Sequence, residues 1–440
     1  MKFSYFKQIV LYMQHFDHIV AAYRLNDSSL RIVFNRENSW NFELNGGDSG
    51  ISIGESASRG KMYQAPFDML LAKRFNRSTV QSISMHNSDK ILRLTAGMSG
   101  SYKSLTTTLQ LEFTGKHTNA IILDEEGRVL EALRHIDEEV SSRSVRVGQI
   151  LLDPPPIPYE PKEYPLEDVR GFLVDEFNRR NNGNLERLKK EKLLLLNKRL
   201  IQLKKHLNGL ENELLLLEEA QHSQHIGHLI LANLASIRPY DTEIVLDDFD
   251  GTPLRIILAP RCPTPSSQAE HFFKRSKKGK QKAIGLYRER HNLEEKIRHL
   301  ELFIQTVSSA TTPEEITLLF PQKGEKSRLK TSDSIAQFWI EGVKVSLGKS
   351  EKGNIELLQN AKARDIWMHL KDRPSAHVII STDKQQLPEK ILETAAKLCV
   401  DFSVFEKGSY LVDYTPRREV RVQEGANVLY TNYKTLAINR

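Results

Sequence analysis

The stretch LLLLNKRLIQLKKHLNGLENELLLL, residues 193–217, carries a leucine at alternating spacings of three and four for seven steps. This is a heptad seam, the pattern of helices that pair along their length. A second seam of leucine, isoleucine and valine follows at residues 286–307. Because two seams in one chain can bury each other, the sequence predicts a long antiparallel coiled-coil hairpin within a monomer.

A compact insert, residues 223–265, separates the two seams. It contains EIVLDDFDGTPLRIILAP at residues 243–260, in which two apolar runs flank Asp250 and Gly251. An Asp-Gly pair between strand-like runs is typical of a tight hairpin turn. The coiled-coil arm, residues 186–310, is therefore predicted to carry a small β-containing head.

Residues 1–155 are predicted to form a mixed α/β domain. Residues 6–22 and APFDMLLAKRF at 65–75 have helical spacing, whereas several runs are typical of strands: LRIVFN at 30–35, WNFEL at 40–44, KILRLTA at 90–96, TTLQLEF at 107–113 and NAIILD at 119–124. The domain is predicted to end at DPPPIPYEPKEYP, residues 153–165. This segment is rich in proline, which donates no backbone hydrogen bond and favours a stiff, extended chain.

The other regions complete a multidomain α+β fold class. Residues 156–185 are interpreted as a linker and the start of a helix, and residues 311–333, which are polar and lysine-rich, as a second linker. Residues 334–440 combine strand-like runs with one helical segment, LPEKILETAAKLCVDFS at 387–403, and are predicted to form a C-terminal α+β domain.

The composition favours a cytoplasmic protein with an anionic partner. The formal net charge is +7, and Cys262 and Cys399 are too few for a disulfide framework. The short apolar run at residues 9–13 does not predict a signal peptide. No run approaches the roughly 20 apolar residues of a membrane helix, so no membrane partner is expected.

The stretch 261–290 is the strongest candidate for contact with RNA. It holds nine Lys or Arg residues against two Glu, with Phe272, Phe273 and Tyr287 interleaved. Basic groups displace counterions from phosphates, and aromatic rings stack on bases. The alternative is a solvated helix flank. The candidate contacts with RNA are Lys274, Arg275, Lys277 and Lys278.

No catalytic, cofactor or metal site is predicted. His222, His225 and His228 recur at spacing three, which is more often an exposed polar face than a metal site. The chain has no GxGxxG after a strand, no phosphate-binding loop and no GxSxG elbow. These features favour a binding protein over an enzyme.

The segment DIWMHLKDRPSAHVII, residues 365–380, sets Trp367, His369, Lys371 and His377 just before a strand-like run. One interpretation is that these side chains form an exposed polar and aromatic face. The alternative is that Trp367 belongs to the core and that each histidine is a satisfied internal group.

Several stretches together resemble the NFACT family. The segment at 365–380 resembles the family signature D-I-W-F-H followed by P-G-S-H-V, and LEFTGKHTNAIILDEEGRVLEAL at 111–133 resembles M-G-R-H-S-N followed by an apolar strand. Further matches lie in the middle region and near the end, in family order: LILANL at 229–234, LAPRCPTPSSQAEHFFKRSKKGK at 258–280, VDYTPRREV at 412–420 and EGANVLYTNYKTLAI at 424–438.

The resemblance implies a ribosome-associated quality-control factor. Such a factor binds large ribosomal subunits obstructed by peptidyl-tRNA and recruits tRNA, alanyl-tRNA in bacteria, for untemplated C-terminal alanine tailing. It also implies a glycosylase-like N-terminal domain. The glycosylase nucleophile is an N-terminal proline, and this chain begins with Met1, so that chemistry is not expected.

The resemblance assigns tRNA contact to one set of residues: Asp89, Lys90, Glu112, Lys116 and His117. It also implies that the RNA contacted by the segment 261–290, and by the face of Trp367, His369, Lys371 and His377, is ribosomal RNA. Lys90 and Lys116 stand where the family has arginine, which keeps the charge and loses bidentate binding. The family's helix-hairpin-helix domain has no room in residues 156–185, and its P-G-S-H reads Pro374-Ser375-Ala376-His377. Two alternatives therefore stay open: a ribosome-rescue module without tailing, and a surface protein that binds fibronectin.

Overall fold

The computed structural model describes residues 1–35, 38–55, 63–99, 104–114, 118–139, 141, 143–154, 162–320, 334–384 and 386–440. The chain divides into two compact units, Met1–Glu186 and Arg187–Arg440. Helices and sheets alternate in both units, and one long helical region links them, so the fold is mixed α/β.

The first unit is built on an antiparallel sheet in which nine strands of the described chain take part. The strands are β1 (His18–Asn26), β2 (Ser29–Phe34), β3 (Asn38–Glu43), β4 (Gly50–Ile53), β5 (Ser78–Met85), β6 (Ile91–Ser99), β7 (Ser104–Glu112), β8 (Asn119–Leu123) and β9 (Val129–Ala132). Their order is β4-β3-β2-β1-β5-β6-β7-β8-β9. Helices α1 (Phe3–Met13) and α2 (Pro66–Phe75) bury Phe6, Ile9 and Phe75 in its core.

The helix predicted for residues 6–22 is wrong in its second half. Helix α1 ends at Met13, and the chain turns and enters β1, which pairs with β2 and β5. Ile19 and Ala22 are buried in the sheet. Pairing with two neighbouring strands overrides the local helical spacing, since packing decides weak propensities.

The arm consists of three helices: α3 (Val169–Asn208), α4 (Glu213–Ala232) and α5 (Pro265–Ser309). Within the second unit, α3 and α4 both run antiparallel to α5. Lys204 of α3 pairs with Glu301 at 2.7 Å, and Arg290 of α5 pairs with Glu213 of α4 at 3.0 Å. Helices α4 and α5 approach closely where both carry small residues. A Cβ added to Gly279 of α5 would lie 3.0 Å from the Cβ of Ala220 of α4.

The unbroken spacing of the first heptad seam predicts one continuous helix, but the structure divides the seam between two helices. Helix α3 ends at Asn208, and α4 begins after Asn212, whose side chain accepts a hydrogen bond from the Leu214 amide at 2.9 Å. Gly209 stands at the break. Glycine is a poor helix former and asparagine is a preferred N-cap, so this local chemistry interrupts the seam.

The predicted head contains the expected hairpin, β10 (Glu243–Asp247) paired with β11 (Pro253–Ile257). Gly251 adopts a positive φ of 84° in its turn, a conformation that glycine tolerates best. Residues 223–232 of the predicted insert are helical, as part of α4. The segment expected to be a linker contains α6 (Pro313–Leu319), and residues 321–333 lie outside the described residues.

The C-terminal part holds a six-stranded antiparallel sheet with the order β12-β13-β15-β14-β16-β19. Its elements are β12 (Ile335–Ile340), β13 (Val343–Gly348), α7 (Glu351–Asn360), β14 (Ile366–Leu370), β15 (Val378–Ile380), α8 (Glu389–Asp401), β16 (Ser409–Pro416) and β19 (Lys434–Asn439). A separate pair is formed by β17 (Val420–Val422) and β18 (Val428–Tyr430). Over the described ranges, no helix is both long and apolar enough to span a membrane.

Candidate nucleic-acid interface

One end of the sheet in the first unit gathers the residues predicted to contact tRNA. Strand β6 begins opposite the last residue of β7, since Ile91 pairs with Glu112, and β8 begins opposite Glu112 as well. The Phe113 amide donates a hydrogen bond to the Lys90 carbonyl at 2.9 Å. Asp89, Lys90 and Glu112 therefore share one sheet end. Lys116 and His117 lie outside the described residues.

The carboxylate of Asp89 is held by the backbone and not by the Lys90 side chain. Asp89 is 8% exposed, and its carboxylate accepts a hydrogen bond from the Lys90 backbone amide at 2.6 Å. No ion pair joins their side chains in the part of the chain described. Asp89 thus shapes the turn into β6, and the Lys90 side chain is left free of that carboxylate.

The structure corrects the role predicted for Glu112. Its side chain is 2% exposed, and the Arg143 guanidinium donates to both of its carboxylate oxygens at 2.6 and 2.9 Å. Gln110 donates a further hydrogen bond at 2.6 Å and itself accepts one from Arg93. Glu112 has no free surface for tRNA. It fixes Arg143, a residue that no motif in the sequence singled out.

A cationic cavity of about 350 Å³ lies in the same unit, lined by the first residues of the chain and the start of α3. Arg180 pairs with Asp48 at 3.0 Å and with Glu176 at 2.7 Å, and Arg179 pairs with Glu176 at 2.7 Å. Burial, then the positive charges of Lys90 and Arg180, lower the pKa of the Met1 amino group. The lining holds Lys2, Arg179 and Arg180 against Asp48 and Glu176, so its basic groups outnumber its acidic ones, which suits an anion.

The basic segment of the arm lies on an open face of α5. Lys274, Arg275, Lys277 and Lys278 are all exposed, and Lys274 pairs with Glu270, at 2.6 Å on the same helix. The phenylalanines predicted to stack on bases are instead part of the arm: Phe272 is buried, and Phe273 packs against Gly227.

Two further predictions for the arm concern Tyr287 and the three histidines at spacing three. Tyr287 is exposed, so it is the aromatic residue of the segment that a partner can reach. Among the three histidines considered as a polar face, His225 pairs with Asp248 at 2.6 Å and His228 packs on Phe273, while His222 is exposed.

The aromatic and histidine cluster of the C-terminal part is largely internal, which corrects the predicted RNA face. Trp367 is fully buried, and its Nε1–H donates to His377 Nδ1 at 3.3 Å. His377 is buried too, and burial lowers its pKa to about 3, so its ring is neutral near pH 7. Neither Trp367 nor His377 has surface to offer to RNA.

His369 and Lys371 form the accessible side of this cluster. The His369 ring lies parallel to Trp367 at a centroid distance of 5.6 Å, and burial lowers its pKa. Lys371 is half-buried, 6.0 Å from the ring of Tyr433. Opposite His369 in the sheet, Asp413 is buried and accepts from Tyr430 at 2.8 Å. Asp413 was not foreseen, because a lone acid in a strand carries no signal.

Comparison with known proteins links these features to one family. A family model described as NFACT N-terminal and middle domains matches residues 22–175 and 173–319. The chain is 29% identical over 285 residues to the Rqc2 homolog RqcH of Bacillus subtilis, a match that spans 61% of this chain and 45% of that relative. The Streptococcus pneumoniae D39 protein of the same name is 21% identical, with coverage of 88% and 87%.

Among solved structures, the N-terminal domain of fibronectin-binding protein PavA from Streptococcus pneumoniae is similar at 21% identity. The TM-score is 0.33, and the match covers 35% of this chain and 62% of that chain. The C-terminal part, residues 334–440, lies outside both ranges of the family match.

Proposed function

The chain belongs to the NFACT family, and from that premise we propose that it is an RNA-binding factor of ribosome-associated quality control. It binds large ribosomal subunits obstructed by peptidyl-tRNA and recruits tRNA, alanyl-tRNA above all, for untemplated C-terminal tailing of the stalled chain. It acts in the cytoplasm as a monomer, and its N-terminal domain has the glycosylase-like fold that the resemblance implies. The relatives named RqcH support this proposal.

The observation that carries the tRNA role is the shared sheet end. The charge of Lys90 acts on the Met1 amino group, which lines a cavity together with Lys2, Arg179 and Arg180 and with the acids Asp48 and Glu176. Behind it, the Glu112–Arg143 pair holds the ends of β6 and β7 in a fixed geometry. A cationic surface on a rigid frame suits the phosphates of a folded RNA, since such contacts supply affinity and fix orientation.

The peptidyl transfer belongs to the ribosome in this proposal. The protein then needs no catalytic group of its own, no cofactor and no metal. Its work is to hold a tRNA and a ribosomal subunit in a productive arrangement. The exposed residues Lys274, Arg275, Lys277 and Lys278 support a contact of the arm with ribosomal RNA, and His369 and Lys371 support a second one.

A ribosome-rescue module without tailing is the second candidate. Two observations favour it: Lys90 replaces the arginine that the family motif carries, and α3 begins at Val169, within the segment 156–185 where the family has its helix-hairpin-helix domain. Lysine offers a point charge where arginine offers a planar fork, so tRNA selection is weaker. Purified stalled subunits with alanyl-tRNA separate the two candidates, since only tailing lengthens the nascent chain.

The direct test is tRNA co-purification with substitutions at Lys90. Lys90→Glu is expected to lower bound tRNA at least tenfold, because it reverses a charge that faces phosphate, and Lys90→Arg to equal or exceed the parent. Lys73→Glu, an exposed lysine on α2 of the same unit, is the matched control for net charge. If Lys90→Glu retains as much tRNA as Lys73→Glu, the tRNA site lies elsewhere.

A further inference from the structure

A second cavity lies within the unit Arg187–Arg440, where the base of the arm meets the C-terminal sheet. Its volume is about 460 Å³, and α3, α5, β12 and the start of α7 all contribute to its wall. We call it the joint cavity. Its size falls within the range of small-ligand sites, about 300–1,000 Å³.

The inner wall of the joint cavity is apolar and aromatic. Phe303 and Phe338 both pack against Phe402, at centroid distances of 5.5 and 5.9 Å. Leu196 and Leu300, one from each seam, complete this wall. Such a surface suits a flat apolar body, and the amides of Asn292 and Gln337 at its edge can hydrogen-bond to polar groups on that body.

The rim of the joint cavity is cationic. Its charged lining consists of four bases against Glu295: Arg199, Lys296, Lys349 and Lys352. Helix α7 begins at this rim, with Ser350 as its N-cap, and so adds the positive end of a helix dipole. His299, in the same wall, has its pKa lowered to about 3 by burial and then by Lys349 and Arg199, which indicates that both cations act inside the cavity.

We propose that the joint cavity binds a nucleoside phosphate, with the base against the half-buried ring of Phe303 and the phosphates on the rim. An apolar aromatic wall beside a cationic rim matches the two halves of that ligand class.

The ligand has two sources, free nucleotide and the terminal nucleotide of an RNA. The experiment titrates the full chain with a fluorescent N-methylanthraniloyl derivative of ATP and competes it with ATP, adenosine, inorganic tripolyphosphate or a single-stranded RNA trinucleotide. We expect ATP to compete at least tenfold better than adenosine or tripolyphosphate. If tripolyphosphate competes as well as ATP, the site is only a cationic surface and the proposal is overturned. Failure of the fluorescent ATP derivative to bind would overturn it too.

Two variants locate the site. Ala336→Phe fills the cavity from β12 without changing any charge, and Lys349→Gln with Lys352→Gln removes rim charge without changing the wall. Each is expected to weaken binding at least tenfold with little change in Tm. Lys362→Gln with Lys384→Gln, both exposed and outside the lining, is the control and should bind like the parent.

The outcomes remain decisive if one variant fails to fold, because the other tests the same site independently. Nucleotide binding that survives a folded variant of either kind overturns the assignment. Competition by the trinucleotide alone, lost in both variants, would keep the ligand class and identify RNA as its source.

Discussion

Two ion pairs of equal length mark the difference between the sheet end and the arm. Arg143 and Glu112 approach to 2.6 Å with side chains 15% and 2% exposed, and Lys274 and Glu270 approach to 2.6 Å with side chains 74% and 64% exposed. The first pair is shielded from water, so neither partner can be removed without leaving a buried charge. The second is solvated and contributes little to stability.

The contrast suggests a division of labour between the two regions. A fixed, dry frame can hold Lys90 and its neighbours in one geometry, which is what selection among RNAs requires. An open strip of lysines keeps its side chains mobile and hydrated, and it attracts any phosphate backbone in a salt-dependent manner. The first region is suited to specificity and the second to affinity.

The largest expected effect is the loss of stability when the buried Arg143–Glu112 pair is broken. Arg143→Ala should lower the free energy of unfolding of the first unit by about 3–5 kcal/mol, because Glu112 is left charged and unpaired in the interior. Chemical unfolding measures it. Lys274→Ala, on the exposed pair, is the control and should lose less than about 1 kcal/mol. A loss below that value for Arg143→Ala would erase the distinction between the two regions.

An intermediate effect is expected from the buried histidine of the C-terminal part. The pKa of His377 in the folded chain is about 3, below the usual 6.5, so the folded state binds fewer protons than the unfolded state between these values. Its contribution to stability is therefore present above pH 6.5 and lost as the pH falls toward 3, by about 1.4 kcal/mol per pH unit.

The measurement compares unfolding at pH 7 and pH 5, where His377 accounts for a loss of about 2 kcal/mol. His377→Asn should remove this share of the pH dependence and leave the share of His299, whose pKa burial also lowers to about 3. The substitution also removes the hydrogen bond from Trp367. The exposed His222→Asn should leave the slope as it is in the parent. An unchanged slope in His377→Asn would mean that the ring can take up a proton without leaving its place.

The smallest effect on stability is expected from the arm. Replacing Lys274, Arg275, Lys277 and Lys278 by Gln should change the free energy of unfolding by no more than about 0.5 kcal/mol per site, since all four are exposed. The same variant should weaken binding to the large ribosomal subunit and lower the slope of log K against log salt by up to about 0.9 per lost phosphate contact. An unchanged slope would make the segment a solvated helix face.

Periodic patterns predicted most elements of the fold. The alternation in LRIVFN and WNFEL identifies β2 and β3, and the Asp250-Gly251 turn identifies the β10–β11 hairpin. The two seams identify the arm helices and their pairing within one chain. These features succeed because they are local, or because a single repeat extends over many residues.

The predictions fail where contacts between distant residues, or the residues at helix ends, decide the structure. Residues 18–22 have helical spacing, yet β1 forms because β2 and β5 offer it hydrogen bonds on both sides. The seam through residues 207–214 is unbroken in sequence, yet Gly209 and Asn212 end one helix and begin the next. The sequence alone places Trp367 and His377 in a candidate polar face, but in the folded protein both are buried.

The sequence by itself determined the arm, its hairpin, the alternation of helices and strands and the family resemblance, because each rests on spacing along the chain. The tertiary structure alone decided what the candidate residues do. Glu112 meets Arg143 across 31 positions, and the joint cavity gathers six segments between residues 196 and 402. Burial and charge convergence of this kind depend on which segments the fold brings together, and no local pattern encodes that.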